Sequence, residues 1–217
     1  FVGHPLLDEK KNDKIDINQV VGKNKAIISI FPGSRVSEII LLMPILLNFV
    51  KLMANKYNDI TYIFHSNSEH NNLIRAYIKN KIFSNCEVIS DNKIKLHLLK
   101  KSIFALVKSG TVSLEVCNAK IPSIILYKMN FINFLIIKML VKTKYANIIN
   151  IIANQQLIPE LLQSQCNPKN IYKTVCEYLE SPLKLEEQTY KTQKILNSLK
   201  IDKSAAVLAS ESLNKQL

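Results

Sequence analysis

Short apolar runs rich in β-branched and aromatic residues recur along the first 130 residues, at 26–31, 60–65, 86–89, 103–107 and 123–127. Between them lie stretches of helical period, at 36–56, 68–81, 92–100 and 112–119. Strands joined by helix-length connections pair in parallel through crossovers rather than as hairpins. The runs are almost continuously apolar, as expected of strands covered on both faces. The pattern therefore predicts an α/β fold with a doubly wound, Rossmann-like parallel sheet. After residue 128 the strand signal stops, and 130–143, 156–165, 168–181, 185–199 and 202–214 read as helices. Asn167 before Pro168 is a cap-then-proline start, and Pro182 is expected to end that helix. Pro44, inside the first long helical pattern, is expected to kink it or mark its start. The implied division is a connecting segment at 1–25, an α/β domain at 26–165 and C-terminal helices at 166–217. The opening Phe-Val-Gly-His-Pro-Leu reads as the end of a strand, so an upstream half is expected.

At 47% hydrophobic and 21% charged residues, the 217-residue chain has the composition of a folded protein with a sizeable core. Its net charge of +12 fits one of three partners: nucleic acid, an anionic membrane surface or a phosphorylated ligand. Lysine runs no longer than pairs and the lack of Trp disfavour nucleic acid. Cys86, Cys117, Cys166 and Cys176 are far apart and form no C-x-x-C pair, so they read as small core residues of a reducing, cytoplasmic compartment, with no metal. The apolar stretch at 131–141 is too short to span a bilayer, which takes about 18–20 residues. With Lys128, Lys138, Lys142 and Lys144 and no acidic residue, the stretch at 128–145 suits the surface of an anionic bilayer. It reads equally as a helix packed on the sheet with its lysines snorkelling outward.

Ligands of open parallel sheets bind at the carboxyl ends of the strands. Two strand ends here carry more than core chemistry. The first is Phe-Pro-Gly-Ser-Arg-Val-Ser-Glu at 31–38, a glycine turn opening a helix. Such a turn directs backbone N–H groups at one spot where an anion can sit, and Arg35 adds a fixed cation beside it. The second is Ser109-Gly110-Thr111, which also opens a helix and places Glu115 one turn in, suited to accepting paired hydroxyls. Each turn alone also reads as a plain helix cap, with Ser34 capping and Glu38 completing a capping box. Together, at neighbouring strand ends, they favour a nucleotide or sugar-phosphate site. Of the histidines, His65 lies at a strand end where it can face the cleft, while His70 and His97 read as solvated helix-surface residues and His4 as a turn residue.

The order of these pieces resembles the C-terminal half of the lipid-A-disaccharide synthase family, glycosyltransferases of the GT-B type. The motifs are Val-Gly-His-Pro-Leu at 2–6, Pro-Gly-Ser-Arg-x-x-Glu at 32–38, Ser-Gly-Thr-x-x-Leu-Glu at 109–115, Val-Lys-Thr-x-Tyr at 141–145, Asn-x-x-Ala at 150–153 and Pro-Glu-Leu-Leu-Gln at 159–163. Ile149 stands where the family commonly has Pro, and Asn154-Gln155 where a Gly is common. The resemblance implies a donor domain of the GT-B type that binds a nucleotide-sugar through Gly33, Ser34, Arg35, Ser109, Gly110, Thr111, Glu115, Tyr145 and Asn150. Ser34 and Arg35 would hold the diphosphate, Glu115 the ribose hydroxyls, and Tyr145 and Asn150 would line the pocket. It implies transfer of 2,3-diacylglucosamine from UDP-diacylglucosamine to diacylglucosamine 1-phosphate, with no cofactor and no metal, at the cytoplasmic face of the inner membrane. The catalytic base would belong to the N-terminal half of the family's fold. Some members exchange C-terminal helices between subunits, which would make a homodimer. Another GT-B transferase or epimerase acting on a UDP-sugar, or a membrane-associated fragment without activity, are the alternatives.

Overall fold

The computed structural model describes residues 26–79, 83–130 and 143–199. The described elements are β1 (Ala26–Phe31), α1 (Val36–Ala54), β2 (Ile60–His65), α2 (Asn71–Ile78), β3 (Cys86–Ile89), α3 (Asn92–Lys100), β4 (Ser102–Lys108), α4 (Val112–Asn118), β5 (Ser123–Tyr127), α5 (Ile148–Ala153), β6 (Glu160–Leu162), α6 (Pro168–Leu179) and α7 (Pro182–Leu199). The six strands form one sheet of order β3-β2-β1-β4-β5-β6, with every pairing parallel. All five strands expected from the sequence are present, within a residue or so of their expected ends.

Strand geometry divides the core into two layers, because successive side chains point to opposite faces. Ile28, Ile30, Tyr62, Phe64, Phe104 and Leu106 pack under α1, α2 and α6. Phe31, Ala105, Val107 and Ile125 pack under α3, α4, α5 and α7. Both faces are thus covered, which is why the strands carry so few polar residues. By length and composition alone α1 is apolar enough to cross a membrane, but Ile39, Leu42, Met43, Leu46, Phe49, Val50 and Met53 lie buried against the sheet. The helix runs through Pro44, which sits on the solvent side of α1. There the missing N–H leaves a carbonyl to water rather than to the core.

Two expectations are corrected. Residues 156–165 do not form a helix: Glu160–Leu162 is an edge strand beside β5, with Ile125↔Glu160 and Tyr127↔Leu162 in register. Pro159 supplies no N–H for a helical bond, yet its carbonyl accepts from Ile125 N at 2.8 Å, so pairing across the sheet overrides local periodicity. Pro182 does not end α6, which stops at Leu179; it is the first residue of α7, the position where a missing N–H costs nothing. At the other proline start Asn167 caps α6 as expected, accepting from Asn170 N at 3.0 Å. Residues 166–199 bury Cys166, Ile171, Val175 and Leu196 in the same two layers as the strands, so packing is continuous across residue 165. All four cysteines are buried thiols, and burial pushes Cys86 and Cys117 up to about 12. The connecting segment at 1–25, the expected helices at 130–143 and 202–214 and the basic apolar stripe lie wholly or largely outside the described residues.

Candidate functional site

In a sheet of order 3-2-1-4-5-6 the chain reverses its winding between β1 and β4, opening a crevice at their carboxyl ends. A cleft of about 350 Å³ occupies that place. Phe31, Gly33 and Ser34 reach it from the β1–α1 turn, and Lys108, Gly110, Thr111 and Val112 from the β4–α4 turn. His65, Ser66, Asn67, Ser68, Ser90, Asn92 and Lys95 close it from the tips of β2 and β3 and from α3.

The β1–α1 turn is built from residues within five positions of one another. Gly33 has φ +125°, and a Cβ there would stand 2.6 Å from Glu38 Oε2 and 2.8 Å from Glu38 Cβ. Only glycine lets Glu38 fold back over the turn. Glu38 Oε2 accepts from Ser34 N at 3.1 Å and Arg35 N at 3.4 Å, while Oε1 meets Lys108 Nζ at 2.6 Å. Burial draws the Glu38 carboxyl upward, but Lys108 and the two backbone N–H groups together hold it below its ordinary value. The expected cap is therefore revised: Arg35, not Ser34, is the N-cap residue of α1, and the chain's own carboxylate already occupies the first two amides. Helix geometry leaves the next N–H groups, those of Val36 and Ser37, without an intrahelical acceptor. Arg35 is exposed, and no described residue pairs with its guanidinium. With Lys108 neutralising Glu38, an incoming anion meets Arg35 without a bare carboxylate beside it.

The β4–α4 turn is held from a distance. Ser109 N joins the sheet ladder to Leu126 O, and Ser109 Oγ donates to Ala146 O at 2.8 Å. Ala146 N and Asn147 N donate to the two oxygens of Glu160 at 2.8 and 2.9 Å. Asn150, fully buried, donates from Nδ2 to Ile158 O and Glu160 Oε1, and accepts at Oδ1 from Leu157 N and Ile158 N. All four of its hydrogen-bonding positions are filled, so Asn150 has none left for a ligand. That corrects its expected place on the pocket lining: it is a clamp behind the turn. Ser109 is corrected likewise, since both of its donors are spent on the fold. Asn154, just after α5, adopts φ +46°, which shows why a Gly is at home near this position.

Of the nine expected site residues, Gly33, Ser34, Gly110 and Thr111 line the cleft together. Glu115 stands one layer behind, with Oε2 on Lys95 Nζ at 2.9 Å, and Lys95 itself lines the cleft. Arg35 and Tyr145 are not on its walls; Tyr145 is half-buried with the Lys144 ammonium over its ring. Three residues escaped the sequence reading. Lys108 and Glu160 act through contacts distant in sequence, which no local pattern marks. His70, expected on a solvated surface, places Nε2 3.0 Å from Ser34 O and braces the turn.

This fold is that of one half of a GT-B glycosyltransferase or nucleotide-sugar epimerase. The structure superposes on the UDP-GlcNAc 2-epimerase of Neisseria meningitidis bound to UDP-GlcNAc with a TM-score of 0.63 at 15% identity, covering 92% of this chain and 47% of the other. Within that class, the Lipid-A-disaccharide synthetase family model matches residues 1–212, and the chain belongs to this family. It is 32% identical over 203 residues to the lipid-A-disaccharide synthase of Rickettsia prowazekii, covering 92% of this chain and 53% of that protein. It is 34% identical over 223 residues to that of Persephonella marina, covering 100% of this chain and 58% of the other. The chain thus spans somewhat more than half the length of these curated relatives.

Proposed function

We propose that the cleft holds the UDP portion of UDP-2,3-diacylglucosamine, and that the protein transfers the acylated sugar to 2,3-diacylglucosamine 1-phosphate. The products are the β-1,6 lipid A disaccharide and UDP. The observation that carries this reading is the meeting of the two glycine turns at the switch point of the sheet, in a chain of this family. UDP departs with added negative charge, and a transition state of that kind is stabilised by fixed donors placed where the charge grows. The first turn of α1 and Arg35 are those donors here. Glu115 exchanges its Lys95 contact for the ribose hydroxyls, and Gly110 lets the backbone of the second turn approach the phosphates. Tyr145 flanks the donor from the loop that Ser109 and Glu160 anchor.

Both substrates carry acyl chains, so the reaction belongs at the cytoplasmic face of the inner membrane. Support comes from the net charge of +12 and from Ile148, Ile151 and Ile152, each about two-fifths exposed on α5, just after the exposed Lys144. Incubation of the intact protein with both acylated substrates, followed by mass spectrometry, is expected to yield disaccharide and UDP. A preference for an unacylated UDP-sugar, or its epimerisation, would contradict the reading.

A further inference from the structure

One buried titratable group on the cleft wall is spent neither on the two turns nor on the diphosphate. His65 is the last residue of β2, only 4% exposed, and it lines the cleft. Its ring lies flat on Phe31, with centroids 4.3 Å apart and an interplanar angle of 8°, so its plane is fixed.

A chain of hydroxyls settles where the imidazole proton is. Ser102 Oγ donates its one proton to Leu98 O at 2.9 Å. It must then accept from Ser29 Oγ, 2.7 Å away, which uses the only proton of Ser29. Ser29 Oγ in turn must accept from His65 Nε2 at 2.8 Å. Nε2 therefore carries the hydrogen, and Nδ1 of the neutral ring is a bare acceptor. Burial, with the Lys95 charge adding, pushes the imidazole down to about 3, so the ring stays neutral at physiological pH. Nδ1 is buried without a hydrogen-bond partner. An acceptor shielded from water and left unpaired is costly, and a ligand group that donates to it recovers that cost. His65 lines the cleft, so a ligand held there is what supplies the missing donor once the atoms over Nδ1 give way. Around it the tips of β2 and β3 offer neutral hydroxyls and amides, from Ser66, Asn67, Ser90 and Asn92.

We propose that His65 is a specificity-determining residue for the base: its Nδ1 accepts the N3–H of a uracil ring and selects uridine over cytidine nucleotides. Uracil presents an N–H at N3, whereas cytosine presents a lone pair there, which would face the lone pair of Nδ1. The assignment rests on the nucleotide-sugar reading of the same cleft. A site whose buried polar group loses its partner discriminates far more strongly than one that loses an apolar contact.

The test is calorimetric binding of UDP and CDP to the intact protein and to His65→Gln and His65→Asn, each first shown to unfold cooperatively. Gln keeps a donor within reach of Ser29 but has nothing at the Nδ1 position. Asn places a carbonyl oxygen near that position. The wild type is expected to prefer UDP by about tenfold or more, Gln to reduce the preference to within about threefold through weaker UDP binding, and Asn to restore most of it. Equal wild-type affinities, an unchanged ratio in His65→Gln, or an Asn variant behaving like Gln would overturn the assignment and leave the site reading intact. Should one variant fail to fold, the other decides: His65→Gln by loss of the preference, His65→Asn by its retention. No UDP binding by folded wild type would instead overturn the nucleotide reading on which the assignment rests.

Discussion

The two turns that face each other across the switch point are built on opposite plans. The β1–α1 turn is local: Gly33, Ser34, Arg35 and Glu38 make it among themselves, with one brace each from Lys108 and His70. The β4–α4 turn is remote: Ser109 hangs on Ala146, which hangs on Glu160, which Asn150 holds in turn. A local turn can exchange its internal carboxylate contact for a ligand without disturbing the fold. A remote turn cannot be altered without loosening the loop and edge strand behind it. Substitutions in the first are therefore expected to act on binding, and substitutions behind the second on stability as well.

The largest effect is expected at Asn150. Asn150→Ala takes the hydrogen-bond partner from both Ile158 N and Ile158 O and one contact each from Glu160 Oε1 and Leu157 N, costing about 3 kcal/mol, a fall in midpoint on the order of 6–12 °C by circular dichroism. A midpoint within a degree of wild type would break the distinction between the two plans. Gly33→Ala comes next, because a methyl group would press on the Glu38 side chain at a positive φ. Its expected cost is about 1–3 kcal/mol, with Glu38 displaced from the Ser34 and Arg35 amides. Relief of most of that cost when Gly33→Ala is made in a Glu38→Gly background, compared with Glu38→Gly alone, would show that the contact, rather than φ, dominates.

Ser109→Ala removes one neutral hydrogen bond and is expected to cost about 1 kcal/mol. It should also weaken UDP binding through the misplaced turn, which separates it from a purely structural loss. The smallest effect is the acid dependence of Glu38. Its folded carboxyl lies below its unfolded value, so its contribution is complete above the unfolded value, near about pH 4.3, and is lost as pH falls through the folded one. The midpoint difference between wild type and Glu38→Gln is therefore expected to be constant at neutral pH and to shrink under acid, below about pH 4. A difference that grew with acid would reverse the assigned sign.

The same contrast explains what could be read before the structure was known. The strands at 26–31, 60–65 and 123–127 were legible because burial on both faces leaves an almost continuous apolar signature. The Pro-Gly-Ser-Arg turn was legible because its parts sit within a few residues, although Glu38 filling its amides was not. β6 was missed because three residues at an edge carry no period of their own; the partner strand makes them a strand. Asn150 was assigned to the ligand because a motif gives a residue's presence and not its direction. Its role appears only when residues 157, 158 and 160 are brought around it. The hydroxyl chain that orients His65 joins positions 29, 65 and 102, a relation that lies wholly in the sheet register.

The central claim is that the local turn after β1 grips the diphosphate of a uridine nucleotide. Calorimetric titration of UDP into the intact protein and into Arg35→Ala tests it most directly. The account predicts saturable binding by the wild type and a loss of about tenfold or more in Arg35→Ala, with the unfolding midpoint unchanged because the Arg35 guanidinium has no partner among the described residues. Equal affinity in the two proteins, or no UDP binding by the folded wild type, would contradict it.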